Sequence, residues 1–86
     1  MKNDTYTLYI RRECPFCKKV LDFMDKEGIT LPTMDITEWP NAENDLVNLG
    51  GKLQVPCLDI NGHALYESDD IIAYLKEHKA EFTSDK

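Results

Sequence analysis

The 86-residue sequence has no apolar run near the roughly 18 residues that a membrane helix requires, so no membrane segment is expected. It is also short of basic residues, with 10 Lys and Arg against 16 Asp and Glu for a net charge of −6. A nucleic-acid binder normally shows the opposite balance, so no nucleic-acid partner is expected. Cysteine is scarce as well. Cys14, Cys17 and Cys57 are an odd number, and two of them lie within one helical turn, which makes a poor disulfide framework and points to redox catalysis or metal binding. The stretch from Met1 to Asp4 lacks the apolar core of a secretory signal, and a cytoplasmic location is expected. What is present, 42% hydrophobic and 30% charged residues, is an ordinary globular composition, and this length predicts a single domain over residues 1–86.

The chemistry concentrates in Glu13-Cys14-Pro15-Phe16-Cys17. Thr5 to Ile10 is rich in aromatic and β-branched residues and predicts a strand. From Lys18 to Glu27 there is no Gly or Pro, and Phe16, Val20, Leu21 and Met24 fall on one face at helical spacing. Pro15 suits the first helical position and leaves Cys14 at the N-cap, with Cys17 one turn along. The unpaired N–H groups and positive dipole end of a helix stabilise an anion there. The Cys14 thiolate is therefore expected to form below the free-cysteine pKa of about 8.5. This makes Cys14 the nucleophile and Cys17 the resolving thiol.

Further along, Gly28 closes the first helix, and Ile29 to Ile36 predicts a strand that Pro32 confines to a sheet edge. A strand, helix, strand unit of this length needs a right-handed crossover, so the two strands should be parallel. Pro40 and Asn41 predict the start of a short helix, with Asn41 as N-cap and Leu46, Val47 and Leu49 as its apolar face, ended by Gly50-Gly51. Trp39 is expected to pack beneath it. Asn61-Gly62, between the runs from Gln54 to Ile60 and from Ala64 to Tyr66, is a strong antiparallel hairpin signal. Ser68 is expected to cap a last helix, with Asp69 and Asp70 in its first turn and Ile71, Ile72 and Leu75 buried; the tail from Ala80 is expected to fray.

Cys-Pro-Phe-Cys at the first helix, Val55-Pro56 at the start of the hairpin and Ser68-Asp69-Asp70 at the last helix together resemble the glutaredoxins of the thioredoxin-fold superfamily, from Thr5 to about His78. The resemblance implies an α/β, thioredoxin-like fold: a four-stranded mixed sheet in the order 2-1-3-4 with three flanking helices. It also implies glutathione as co-substrate in thiol-disulfide exchange with disulfide-containing or glutathionylated proteins; a monomer is expected. By position, Arg11 matches the family's basic residue near the glutathione carboxylate and the thiolate. Val55 before Pro56, expected cis, matches the residue whose backbone pairs with the cysteinyl unit, and Ser68 and Asp69 match the site of the γ-glutamyl end. Phe16 stands where many glutaredoxins carry Tyr and keeps an apolar wall beside the thiol. Tyr66-Glu67-Ser68 with Ile71 to Leu75 looks more like the N-terminal domain of glutathione transferases, which use the Glu67 position for the ligand ammonium.

Other readings attach to the same residues. A zinc site on Cys14 and Cys17 would need two more ligands, and Cys57, His63 and His78 stand at no recognised spacing, so no metal is expected. A glutathione-binding module without turnover, or one carrying an iron–sulfur cluster shared by two chains with Cys14 and glutathione as ligands, is the less favoured reading, and a glutaredoxin-like protein reduced by thioredoxin reductase is another. Cys57 reads as a small buried hydrophobe, His63 as a surface residue, Arg12 as a surface charge, and Tyr9 and Tyr66 as packing residues.

Overall fold

The computed structural model describes residues 6–39 and 41–79. Thr5, Pro40 and the tail from Ala80, for which a strand start, a helix start and fraying are expected, lie outside the described residues. In chain order the elements are β1 (Tyr6–Ile10), α1 (Pro15–Glu27), β2 (Thr33–Asp35), α2 (Ala42–Gly50), β3 (Cys57–Ile60), β4 (His63–Tyr66) and α3 (Ser68–Glu77). The strands form one sheet in the order β2-β1-β3-β4. β1 pairs in parallel with β2, with Leu8 opposite Thr33, and antiparallel with β3, with Leu8 opposite Leu58. The β3–β4 hairpin turns on Asn61 and Gly62, both at positive φ as a type I′ turn requires. The fold is the thioredoxin-like architecture that the glutaredoxin resemblance implies.

Period-two alternation divides the core between the two faces of the sheet. Leu8, Ile10 and Leu58 join Cys17, Val20 and Met24 of α1 and Ile71 and Leu75 of α3. On the other face, Tyr9 and Cys57 join Ile36 with Ala42 and Leu46 of α2. Two helices thus cover one face and one covers the other. The helix that carries the two-cysteine motif is anchored to the central strands along its length.

Several sequence expectations shift in detail. β2 is three residues rather than eight, because Pro32 has no N–H for a ladder; its carbonyl still accepts from Leu8 N–H at 2.8 Å. Likewise β3 begins only at Cys57, after Pro56. Trp39 does not pack under α2: it is 58% exposed, and the covering face is Ala42, Leu46 and Leu49 at helical spacing, with Val47 turned to solvent. Asn41 occupies the N-cap position of α2 but makes no side-chain capping bond. Ser68 is not the cap of α3. It is the first helical residue and is buried, while Glu67 is the N-cap at φ 75°, so one strained residue turns the chain from β4 into α3. Ile72 is half-buried beside the fully buried Ile71 and Leu75.

Gly50, at the end of α2, supplies a test of this packing. A Cβ at this position would sit 2.1 Å from the Tyr66 hydroxyl and 2.7 Å from Ala64 Cβ. That hydroxyl is not free to move, since it accepts from Lys52 N–H at 3.3 Å and donates to Lys52 carbonyl at 3.0 Å. Helix propensity alone makes Gly→Ala stabilising by about 1 kcal/mol. Overpacking costs about 1–3 kcal/mol. Gly50→Ala is therefore expected to lower the urea midpoint; a raised midpoint would show that the α2–β4 contact is looser than described.

Candidate functional site

The site begins where β1 gives way to α1. Cys14 is the N-cap in extended conformation (φ −82°, ψ 120°) and Pro15 is the first helical residue, so the helix opens directly behind the thiol. Cys14 N–H donates to Arg11 carbonyl and Lys18 N–H to Cys14 carbonyl, each at 3.0 Å, which fixes the entry. The two thiols differ in setting. Cys14 is half-buried, with its thiol 3.9 Å from Val55 carbonyl, whereas Cys17 is 1% exposed and accepts from Arg11 N–H at 3.4 Å. Both are free thiols.

Their acidities separate accordingly. At Cys14, partial burial opposes ionisation, but the N–H of Cys17, the Cys17 thiol, the N–H of Phe16 and the charge of Arg11 outweigh it, and the pKa falls below the ordinary thiol value. At Cys17, burial dominates. The Arg11 N–H helps the thiolate, but the bond to Cys14 and the negative charge there work against it, and the pKa is pushed up to about 12. One sulfur is thus ready as a thiolate and its neighbour is held as a thiol.

Val55, whose carbonyl is near the Cys14 thiol, also lines a cavity of about 310 Å³, near the lower limit of small-molecule sites; neither Cys14 nor Cys17 is among its lining residues. Three segments line it: Phe16 and Lys19 from α1, Gln54-Val55-Pro56 before β3, and Glu67-Ser68-Asp69 at the start of α3. The Val55–Pro56 peptide is cis. Six of the expected site residues therefore meet in one place: Phe16, Val55, Pro56, Glu67, Ser68 and Asp69. Arg11 does not line this cavity; its links to the site run through the two sulfurs, and its Nε is buried without a hydrogen-bond partner among the described residues. Phe16 is not part of the buried face of α1. It is 61% exposed at the cavity wall, and Cys17 takes its place in the core.

Two lining residues carried no expectation. Gln54 donates to Glu67 Oε2 at 3.3 Å, and Lys19 Nζ lies 2.6 Å from Asp69 Oδ1. Both had a signal: Gln54 immediately precedes Val55-Pro56, and Lys19 lies three residues after Phe16 on the same side of the helix. The remaining candidates play structural parts. Cys57 is fully buried, with its pKa raised to about 11 by burial; His63 is exposed; and Arg12 pairs with Glu38 and, at 3.6 Å, Asp35. Tyr9 is buried and Tyr66 packs against the same core. Among the described residues, no group of three or more His, Cys, Asp or Glu side chains is placed to hold a metal ion, and no helix is long and apolar enough to cross a membrane.

Residues 6–65 match the Glutaredoxin family profile. Comparison with curated proteins gives no match. Among solved structures, a wheat glutaredoxin is similar at 24% identity and a TM-score of 0.65, covering 84% of this chain and 70% of its own. A buckwheat glutaredoxin–glutathione complex is similar at 18% identity and a TM-score of 0.68, covering 88% and 72%. Glutathione transferases are similar as well. An Anopheles dirus species B enzyme is 30% identical with a TM-score of 0.70, but the match covers 87% of this chain and only 36% of the mosquito one. The likeness to the transferases is thus confined to about their thioredoxin-fold portion. With the profile spanning well over half of the sequence and the two-cysteine helix start inside it, the chain belongs to the glutaredoxin family and is a glutaredoxin-like thiol oxidoreductase.

Proposed function

We propose that the protein is a glutathione-dependent disulfide oxidoreductase that reduces glutathionylated proteins and protein disulfides through Cys14. One observation carries this reading: the low-pKa thiol lies 3.9 Å from the Val55 carbonyl at the wall of a cavity that ends at the N-terminus of α3. Glutathione is an extended tripeptide with a carboxylate at each end. The backbone of Val55 can pair with its cysteinyl unit as an added strand, and the N–H groups opening α3 at Ser68 suit one carboxylate. Asp69 and Glu67 suit its ammonium, Phe16 flanks the sulfur, and Arg11 offers a buried unpaired donor near the thiols.

In the reaction, the Cys14 thiolate attacks the glutathione sulfur of a mixed disulfide. The Cys14–glutathione bond forms as the old S–S bond breaks, and the protein thiolate leaves and takes a proton from water. A second glutathione thiolate then attacks the glutathione sulfur, releasing glutathione disulfide and regenerating Cys14. Cys17 offers the alternative exit, needed when the target is a protein disulfide. Cys17 is buried, which disfavours its thiolate, so the route through a second glutathione is favoured for glutathionylated substrates.

Cys14→Ser is expected to abolish reduction of a glutathionylated peptide in an assay coupled to glutathione reductase. Substantial residual turnover would end the assignment. Cys17→Ser is expected to keep most of that activity while losing direct reduction of a protein disulfide; equal loss of both reactions would contradict the division of labour.

The acidities predict a pH profile. An acid with a lowered pKa is already ionised below the ordinary thiol range, and one with a raised pKa stays protonated through it. Iodoacetamide at pH 7 should therefore modify Cys14 alone, at a rate that levels off below the pH where a free thiol does so. Cys17 should remain unmodified in the folded protein until strongly alkaline pH, as read by mass spectrometry of the alkylated chain.

A further inference from the structure

The cavity holds one charged residue that this reading leaves without a part. Among the described residues lining it, Lys19 is the only cation, set against the acids Glu67 and Asp69. Its Nζ bridges from α1 to Asp69 of α3, 50 positions away in sequence. The two side chains are 54% and 81% exposed, so the pair contributes little to stability and can accommodate a ligand. An ammonium has three N–H donors, and Asp69 engages one of them.

We propose that Lys19 is a specificity-determining residue that holds the α-carboxylate of the γ-glutamyl end of glutathione, so that Lys19 and Asp69 together form a paired-charge cradle for an amino-acid zwitterion. The inference rests on the glutathione reading above and adds a residue to it. The γ-glutamyl end carries its ammonium and its carboxylate on one carbon. Two acids alone would draw the ammonium and repel the carboxylate beside it. With Lys19 next to Asp69, the ligand's two charges each meet an opposite one, and the ligand adds to the existing ion pair instead of competing with it. The N–H groups at the start of α3 then reinforce the carboxylate contact. Lys19 is also on the helix that carries Cys14, so the cradle is held in fixed relation to the reactive sulfur.

The test uses the full chain and two mixed disulfides of one peptide. The first carries glutathione; the second carries 4-aminobutyryl-cysteinylglycine, which keeps the amino group and lacks only the α-carboxylate. The readout is the ratio of kcat/KM values for the two. The natural protein is expected to prefer the glutathione form by about tenfold, the loss of one charged hydrogen bond at a partly exposed site. In Lys19→Gln the ratio is expected to fall several-fold, through loss on the glutathione form alone, to the remainder that the α3 N–H groups supply, and in Lys19→Arg to be largely restored. If the natural protein prefers the glutathione form and Lys19→Gln prefers it equally, the assignment of Lys19 is overturned while the glutathione reading stands. If Lys19→Gln works better on the glutathione form, Lys19 only masks Asp69 and the inference is likewise overturned. If the natural protein treats both mixed disulfides alike, the α-carboxylate is not recognised and the inference is overturned, while the glutathione reading is decided separately by the Cys14→Ser assay.

Discussion

The structure depends on where α1 begins. A thiolate at Cys14 is sustained by the N–H groups of Phe16 and Cys17, which are available because the first turn of a helix leaves its donors unpaired. Shifting the helix start by one residue would move these donors away from the sulfur. The start is fixed from both sides. Pro15 can occupy the first helical position at no cost, and Cys14 N–H is already committed to the Arg11 carbonyl. The rest of the helix is then held by Cys17, Val20 and Met24 in the larger core cluster, so the geometry at the reactive end is set by packing along the whole element.

That same packing separates the two thiols. Cys14 caps the helix at the edge of the core cluster and stays partly exposed, while Cys17 in the first turn is buried inside that cluster. Desolvation opposes ionisation at both sulfurs, and only at Cys14 do enough donors offset it. Cys57 shows burial outweighing a single donor: it sits opposite Tyr9 on the central strands, and although Leu65 N–H favours its thiolate, its pKa is raised to about 11. Three cysteines in one small protein therefore differ in reactivity through their surroundings alone.

The fold was legible because its signals are local and strong. Alternation in β1, the helical spacing of Val20 and Met24, Asn61-Gly62 and the Ile71/Leu75 pair each dictate one element, and β1–α1–β2 dictates a parallel pairing. What was not legible depends on long-range placement. Trp39 reads as a core residue by its chemistry, yet the turn into α2 is covered by Ala42 and Leu46, which leaves the indole in solvent. Phe16 reads by spacing as part of the buried stripe of α1, but that stripe turns at Cys17, and only its other expected part, a wall at the site, agrees with where the ring lies. Gln54 and Lys19 neighbour motif residues in sequence, but their place in the cavity depends on the loop before β3 and the start of α3 meeting α1 in space.

Glu67 shows how a departure from local rules serves the site. Ser-Asp-Asp reads as a cap followed by an acidic first turn, which places the helix start one residue too late. In the structure, β4 ends at Tyr66 and α3 begins at Ser68, leaving a single residue to reverse the chain. Glu67 does this at φ 75°, a conformation that costs a side-chain-bearing residue about 1–3 kcal/mol. The bond from Gln54 is an exposed one, and such bonds return about 1 kcal/mol at most. The larger return comes from the helix behind it: Glu67 carbonyl accepts from Ile71 N–H at 3.0 Å, and Ile71 and Leu75 are fully buried. Because the turn takes one residue, Ser68 is buried at the cavity wall and the start of α3 lines the same cavity as Val55 and Lys19. A longer, unstrained turn would relieve Glu67 and draw the helix terminus back from the cavity.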